Sequence, residues 1–287
     1  MTAGKLSAAS HIGGVRLQVS DVGRSVAFYC DLLGFREVRP RAGEATLGVP
    51  AGPWPLVTLV ERPSARPVPP RGRLGLFHFA ILLPHRASLG SVLGHLRAHD
   101  VPLGMSDHLV SEALYLADPD GLGIEIYSDR PQSSWNWRAG EIAMATAPLD
   151  VDGLLREPGV TRWHGMPAGT TIGHMHLHVG DLANAERFYA GAIGLDVTVR
   201  RYPGALFMSA GGYHHHLGTN TWARGAAAPD PDEAQLLHWD LVVSGAAEVH
   251  AIGERIRTVG GVTTAEGPDA LIARDPFGTA VRIVSRS

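Results

Sequence analysis

The strongest constraint on the fold is an internal repeat that runs the length of the chain. Residues 15–35, VRLQVSDVGRSVAFYCDLLGF, recur as MHLHVGDLANAERFYAGAIGL at residues 175–195. A constant offset of 160 positions relates Asp21 to Asp181, and FHFAILLP to LHWDLVVS further along the chain. Repetition at a fixed offset indicates copies of one supersecondary unit rather than a single irregular domain.

Each copy has the same predicted order of elements. An alternating strand is followed by an aspartate, Asp21 or Asp181, which is a typical helix N-cap. A helix with one apolar stripe comes next, and then short strands separated by turn signals such as Asp-Pro-Asp-Gly at Asp118. This order is βαβββ, and it occurs four times, so the sequence predicts an α+β fold of four modules. The four modules span residues 10–62, 72–130, 170–224 and 234–287.

The modules predict two domains joined by a linker. Modules one and two form an N-terminal domain, residues 1–130, and modules three and four form a C-terminal domain, residues 170–287. Residues 131–169 show no such module and contain Trp135, Trp137 and Trp163. We predict that this linker packs over the surface.

Composition excludes several functions. The net charge is −3, no basic tract suggests a nucleic-acid face, and no apolar stretch reaches the roughly 20 residues of a membrane span. The single cysteine, Cys30, cannot form an internal disulfide. We therefore expect a cytoplasmic protein that binds neither nucleic acid nor membranes.

Histidines are the main candidates for chemistry. The chain has 15, and seven of them lie between His174 and His238. Imidazole is the commonest metal ligand and acid–base group, so their placement carries information. A lone histidine on a strand is more often a structural residue, and we predict that role for His176, His178 and His238.

The modules resemble those of the vicinal oxygen chelate superfamily, which includes glyoxalases, bleomycin resistance proteins and dioxygenases. In that superfamily βαβββ modules pair into cupped mixed β-sheets around a metal. Residues 104–125, GMSDHLVSEALYLADPDGLGIE, resemble the signature of the extradiol ring-cleaving dioxygenases more narrowly. The matching positions are Gly104, His108, Leu114, Tyr115, Asp118, Pro119, Gly121 and Glu125. Together with SAGGYHHH, they make the chain most similar to catechol 2,3-dioxygenase-like proteins.

This resemblance implies a metal site and a particular pairing of modules. Two ligands would be His78, on the first strand of module two, and Glu125, on its last strand. The third would lie on the first strand of the partner module, at Gly14 in module one or His174 in module three. Since glycine offers no ligand, only pairing of modules two and three gives a complete set. The expected metal is Fe(II), with Mn(II) or another divalent ion possible, because two histidines and one carboxylate leave coordination positions open.

The resemblance also implies catalytic residues and substrates. If consecutive residues alternate faces on a strand, His214 and His216 share one face. His214 best fits the acid–base position, with His216 as the second choice. Tyr115 and His108 would hydrogen-bond the substrate. The implied activity is extradiol cleavage of a small aromatic diol by O₂, as in aromatic catabolism, in a possible homodimer.

Two other classes of function remain open from the sequence. A metal-dependent lyase, isomerase or thiol transferase, as in glyoxalase I, would use the same fold. A binding or resistance protein without catalysis would also use it. In module four, Arg282 occupies the position that Glu125 occupies in module two. Arg282 could neutralise a charge, bind a substrate carboxylate or lie at a solvated edge.

Overall fold

The computed structural model describes residues 4–52 and 55–285, and it contains the four predicted modules. Module one comprises β1 (His11–Val19), α1 (Val22–Val26), β2 (Arg36–Arg41), β3 (Glu44–Gly48) and β4 (Val57–Glu61). Module two comprises β5 (Gly75–Leu82), α2 (Arg86–Ala98), β6 (Gly104–Asp107), β7 (Ser111–Ala117) and β8 (Gly123–Asp129). Between the two halves lie the short strands β9 (Trp137–Arg138) and β10 (Glu141–Ile142) and the helix α3 (Val151–Leu155).

The second half repeats this order. Module three comprises β11 (Thr171–His178), α4 (Leu182–Glu186), β12 (Asp196–Val199), β13 (Ala205–Ser209) and β14 (Leu217–Asn220). Module four comprises β15 (Gln235–Val243), α5 (Ala246–Thr258), β16 (Thr263–Ala265), β17 (Ala270–Arg274) and β18 (Ala280–Ser285). The helices α1 and α4 each continue into a π-helical turn, Ala27–Leu32 and Arg187–Ile193.

The predicted helix starts are confirmed. The Asp21 side chain accepts a hydrogen bond from the backbone N–H of Arg24 at 2.9 Å, and Asp181 accepts one from Asn184 at 2.7 Å. Each carboxylate thus satisfies one of the backbone donors that an open helix end leaves without a partner.

Two eight-stranded mixed sheets form the body of the protein. Sheet I has the order β16-β17-β18-β15-β1-β4-β3-β2 and combines modules one and four. Sheet II has the order β12-β13-β14-β11-β5-β8-β7-β6 and combines modules two and three. The predicted fold class and the pairing of modules two and three are confirmed. The division into domains at residues 130 and 170 stays a prediction.

Antiparallel contacts between first strands join the modules within each sheet. β5 pairs with β11 in sheet II, and β1 pairs with β15 in sheet I. One hydrophobic cluster includes residues from both sheets, among them Leu17, Phe79, Leu177 and Trp239. Buried tyrosines link modules of different sheets, since the Tyr189 hydroxyl donates to Asp275 at 2.9 Å.

The linker does more than pack over the surface. Its Asp150 caps α3, and Trp135 and Ile142 bury themselves in a small cluster beside sheet II. Ala147 hydrogen-bonds Asp107, so residues 144–147 lie along the edge of sheet II. In the described part of the chain, no helix is both long and apolar enough to span a membrane.

Candidate metal centre

The register of sheet II places the expected ligands on one face. Ala80 on β5 is paired with Glu125 on β8 and, on its other side, with His174 on β11. Residues paired across strands point to the same face, and so do residues two apart along one strand. His78 lies two residues before Ala80, so His78, Glu125 and His174 converge over this small side chain.

These three residues form a compact buried cluster. One nitrogen or oxygen of each lies within 4.8 Å of the others, and each residue is at most 5% exposed. The Nε2 atoms of His78 and His174 lie 3.0 and 3.2 Å from the same oxygen, Oε2 of Glu125. Two ligand atoms bound at right angles about 2.1 Å from one ion would be about 3.0 Å apart. The spacing therefore fits a single divalent cation.

One orphaned atom supports the same conclusion. The Nε2 atom of His78 is buried and has no hydrogen-bond partner in the described chain, despite its closeness to Glu125. A buried polar atom without a partner is unfavourable unless something else, such as a metal ion, satisfies it.

The electrostatics favour the protonation states that bind metal. Burial would raise the pKa of Glu125, but His174 and His78 outweigh that effect and hold its pKa well below the usual range. Burial lowers the pKa of His174 to about 4, although Glu125 opposes the shift. At neutral pH the site thus offers one carboxylate and unprotonated imidazole, as metal binding requires.

A cavity of about 220 Å³ opens onto the cluster. Tyr115 and His108, both predicted to contact substrate, line it together with the three candidate ligands. Tyr115 pairs with Glu125 between β7 and β8, which places it on the ligand face. The site residues His78, Glu125, His174, Tyr115 and His108 are therefore brought together by the fold.

His108 and Tyr115 form a short hydrogen-bonded chain. Nδ1 of His108 lies 2.7 Å from the carbonyl oxygen of Ala145, and its Nε2 lies 2.6 Å from the Tyr115 hydroxyl. A neutral His108 donates from Nδ1 to the carbonyl, so its Nε2 accepts from Tyr115. Burial raises the pKa of Tyr115 well above its usual value, with Glu125 adding to the effect, so the phenol keeps its proton.

The histidine run at residues 214–216 differs from the prediction. These residues precede β14, which begins at Leu217, so the alternation expected of a strand does not apply to them. His215 lines the cavity, whereas His214 is fully buried behind it. His214 Nε2 lies 2.8 Å from Asp129, and its Nδ1 lies 2.8 Å from Nδ1 of His215.

His216 is also away from the cavity. Its Nδ1 accepts a hydrogen bond from the backbone N–H of Ala210 at 3.1 Å, and Tyr213 packs on its ring. Burial lowers the pKa of His216 to about 3. This imidazole closes a turn, and it is in its neutral form near neutral pH.

Several cavity residues carry no sequence signal. Phe77, Phe207, Tyr202 and Trp222 form an aromatic wall, and Met144 and Thr146 come from the linker. His176 lines the cavity too, and its Nε2 accepts a hydrogen bond from Asn220 at 3.0 Å. Only the tertiary structure brings these residues together.

Sheet I carries the degenerate counterpart of this site. Gly14, His238 and Arg282 occupy the positions of His174, His78 and Glu125 in the repeat. Arg282 lies 3.3 Å from Asp240 and 2.7 Å from Glu266, so it neutralises acidic neighbours. A Cβ atom on Gly14 would lie 2.9 Å from the carbonyl oxygen of Pro55, which leaves no room for an imidazole there.

Comparisons with known proteins agree with the fold. Residues 10–126 and 171–283 match the glyoxalase/bleomycin resistance protein/dioxygenase superfamily. The chain is 43% identical over 275 residues to a catechol-2,3-dioxygenase of Bacillus subtilis, covering 94% of this chain and 95% of the relative.

Solved structures show the same architecture. A putative dioxygenase from Bacillus subtilis has a TM-score of 0.67 at 16% identity, over 98% of this chain and 86% of its own. Glyoxalase I from Zea mays has a TM-score of 0.56 at 16% identity, over 96% of this chain and 92% of its own. The protein described here therefore belongs to the glyoxalase/bleomycin resistance protein/dioxygenase superfamily.

Proposed function

We propose that the protein is an extradiol dioxygenase that cleaves a small aromatic diol with O₂ at a divalent metal, preferably Fe(II), held by His78, Glu125 and His174. The observation that carries this proposal is the buried cluster of these three side chains on the floor of a cavity. The 43% identical relative is named a catechol-2,3-dioxygenase, which supports the reaction class. Two neutral nitrogens and one carboxylate are a ligand set that leaves positions open for other ligands.

The metal, once bound, would orient the two reactants and stabilise the charge that develops as they react. The protein's own groups would hold the diol and handle its protons. Tyr115 keeps its hydroxyl proton and donates it to His108, so its oxygen remains available to accept a hydrogen bond from the diol. The aromatic wall that includes Phe77 and Trp222 would pack on the ring and exclude water.

The acid–base role predicted for His214 is better placed on His215. His215 is the imidazole of the 214–216 run that lines the cavity, and its ring packs against that of His174 at 4.1 Å between centroids. It can therefore accept a diol proton that His214, buried behind it, cannot reach.

The charge of the cavity limits the substrate. Within the described residues, no lysine or arginine lines it, and Phe77, Met144 and Phe207 give it an apolar wall. A substrate carboxylate in this pocket would be buried without a cationic partner, which is unfavourable. We infer that the diol is uncharged, such as catechol or a methylcatechol.

The experiment is O₂ uptake by protein loaded with Fe(II) under anaerobic conditions. Catechol and 4-methylcatechol should consume O₂ and give a yellow ring-opened product. 3,4-Dihydroxybenzoate should show a kcat/KM at least about tenfold lower, since an unpaired buried charge costs more than about 1.4 kcal/mol. Bound iron without O₂ uptake across the panel would refute the dioxygenase assignment, and equal rates for the carboxylated diol would refute the inference of an uncharged one.

A further inference from the structure

A carboxylate–imidazole chain behind the cavity, with a partly exposed carboxylate and a buried imidazole, is not used by the mechanism above. Asp129 lies at the end of β8, four residues after Glu125. Its Oδ1 lies 2.8 Å from Nε2 of His214, and its Oδ2 accepts from the Tyr213 hydroxyl at 2.9 Å. The Tyr127 hydroxyl lies 2.6 Å from that of Tyr213 and completes the chain on this side.

The chain continues from His214 to the cavity. Nδ1 of His214 and Nδ1 of His215 lie 2.8 Å apart, so one of the two nitrogens carries the hydrogen atom between them and the other accepts it. The ring of His215 is fixed between His174 and Phe207, with centroid distances of 4.1 and 4.8 Å. Within residues 4–52 and 55–285, Nε2 of His215 has no hydrogen-bond partner. This atom also keeps some accessible surface. Nε2 is therefore the ring nitrogen that is free to meet a cavity ligand.

Hydrogen-bond direction can be counted along this chain. A carboxylate only accepts, so Nε2 of His214 carries the proton that faces Asp129. Neutral His214 then has an unprotonated Nδ1, which accepts from Nδ1–H of His215. Neutral His215 is left with an unprotonated Nε2. The carboxylate of Asp129 thus determines, through two successive hydrogen bonds, which nitrogen of His215 bears the proton.

We propose that Asp129 and His214 are positioning residues that hold His215 in its Nδ1-protonated tautomer, so that its bare Nε2 accepts a hydrogen bond from a diol hydroxyl. The consequence for catalysis rests on the proposed function, whereas the tautomer itself does not. With the opposite tautomer, His215 would present an N–H to the cavity, and it could not accept the diol hydrogen.

The substitution that tests this is Asp129→Asn. Its amide oxygen can still accept from Tyr213, while its NH₂ group donates to Nε2 of His214. Donation at that end reverses the chain, because His214 then carries its proton on Nδ1 and donates to His215. A carboxylate-to-amide change at a histidine partner is known to act by imposing the wrong tautomer in serine proteases. Tyr213→Phe is the matched control, since it removes the other hydrogen bond to Asp129 but leaves the carboxylate to direct His214.

The readout is nitrogen NMR of histidine rings in the full-length protein, metal-free and loaded with diamagnetic Zn(II). Scalar coupling across the N–H···N bond identifies the His214 and His215 signals as a pair. We expect His215 to be protonated on Nδ1 in the wild type and in Tyr213→Phe, and on Nε2 in Asp129→Asn. A wild-type His215 protonated on Nε2, or an unchanged tautomer in Asp129→Asn, overturns the proposal.

Kinetics with the Fe(II)-loaded protein provide the second measurement. Asp129→Asn should lower kcat with catechol by about 10²-fold or more, with little change in KM and in bound iron. Tyr213→Phe should stay near the wild-type kcat. A switched tautomer with an unchanged kcat would overturn the positioning role. If the wild type consumes no O₂, the proposed function fails, and the NMR result still decides the tautomer.

Discussion

Replacing Glu125 by glutamine tests the metal site directly. The substitution keeps the size of the side chain and removes its charge, at the position where two imidazoles approach one carboxylate oxygen at 3.0 and 3.2 Å. The amide is a far weaker ligand for a divalent cation than the carboxylate. His238→Ala is the matched control, because His238 holds the equivalent position to His78 in the repeat but lies in sheet I beside Arg282.

The expected effect follows from ligand linkage. An ion present at 1,000 times its Kd stabilises the folded protein by about 4.1 kcal/mol. Removing a residue that merely hydrogen-bonds a metal ligand weakens metal affinity by about 10- to 100-fold. Removing a ligand itself should therefore weaken the affinity by at least about 100-fold. At the same ion concentration the stabilisation then falls to about 1.4 kcal/mol. For a chain of this size, about 1 kcal/mol corresponds to roughly 2–4 °C in Tm.

Thermal unfolding with and without Mn(II) or Fe(II) measures this difference. The wild type and His238→Ala should each gain about 8–16 °C on metal addition, and Glu125→Gln should gain at most about 3–6 °C. Metal content after gel filtration gives an independent check. A full gain in Glu125→Gln, or its loss in His238→Ala, would place the metal outside the cluster in sheet II and refute the reasoning.

Two further predictions concern stability. The pKa of His174 is near 6.5 in the unfolded chain and about 4 in the folded, metal-free protein, so acid favours the unfolded state. Between pH 7 and pH 5, this residue alone should lower the free energy of unfolding, measured in urea, by about 2 kcal/mol. Constant stability over that range would show that His174 is not buried as described. A Cβ atom at Gly173 would lie 1.9 Å from the Tyr127 hydroxyl, so Gly173→Ala should destabilise by about 1–3 kcal/mol. Gly245→Ala, with open space around the new methyl group, should change stability little, and equal effects of the two would contradict the packing argument.

Local patterns predicted the modules because the chain repeats them. The aspartate caps, the alternating first strands and the Asp-Pro turns are interactions between residues close in sequence. The turn at Asp118, for example, forms because its carboxylate accepts from the backbone N–H groups of Asp120 and Leu122. Such features are specified within a few residues, so they can be recognised without the fold.

The candidate metal ligands were predicted for a different reason, the resemblance to the superfamily. His78, Glu125 and His174 stand at fixed positions in the repeat, and the glycine at position 14 left only one complete combination. The sheet order, with β11 beside β5, then brought the three together as expected.

The position of His214 shows where local reasoning ends. Treating residues 214–216 as a strand put His214 at the acid–base position, but these residues lie outside the strands and His214 hydrogen-bonds Asp129 of another module. Whether a residue is in a strand depends on a neighbour that supplies hydrogen bonds, and that neighbour lies far away in sequence. The same holds for Met144 and Thr146, which reach the cavity only because the linker hydrogen-bonds the edge of sheet II.

The sequence by itself determined the four modules and the helix caps, because each depends on residues at short or repeated spacings, and its resemblance to the superfamily pointed to the three candidate ligands. Only the tertiary structure decided which imidazole faces the cavity, what walls surround it and how Asp129 connects to it. Those features arise where segments distant in sequence meet, and contacts of that kind are set by the packing of the whole chain.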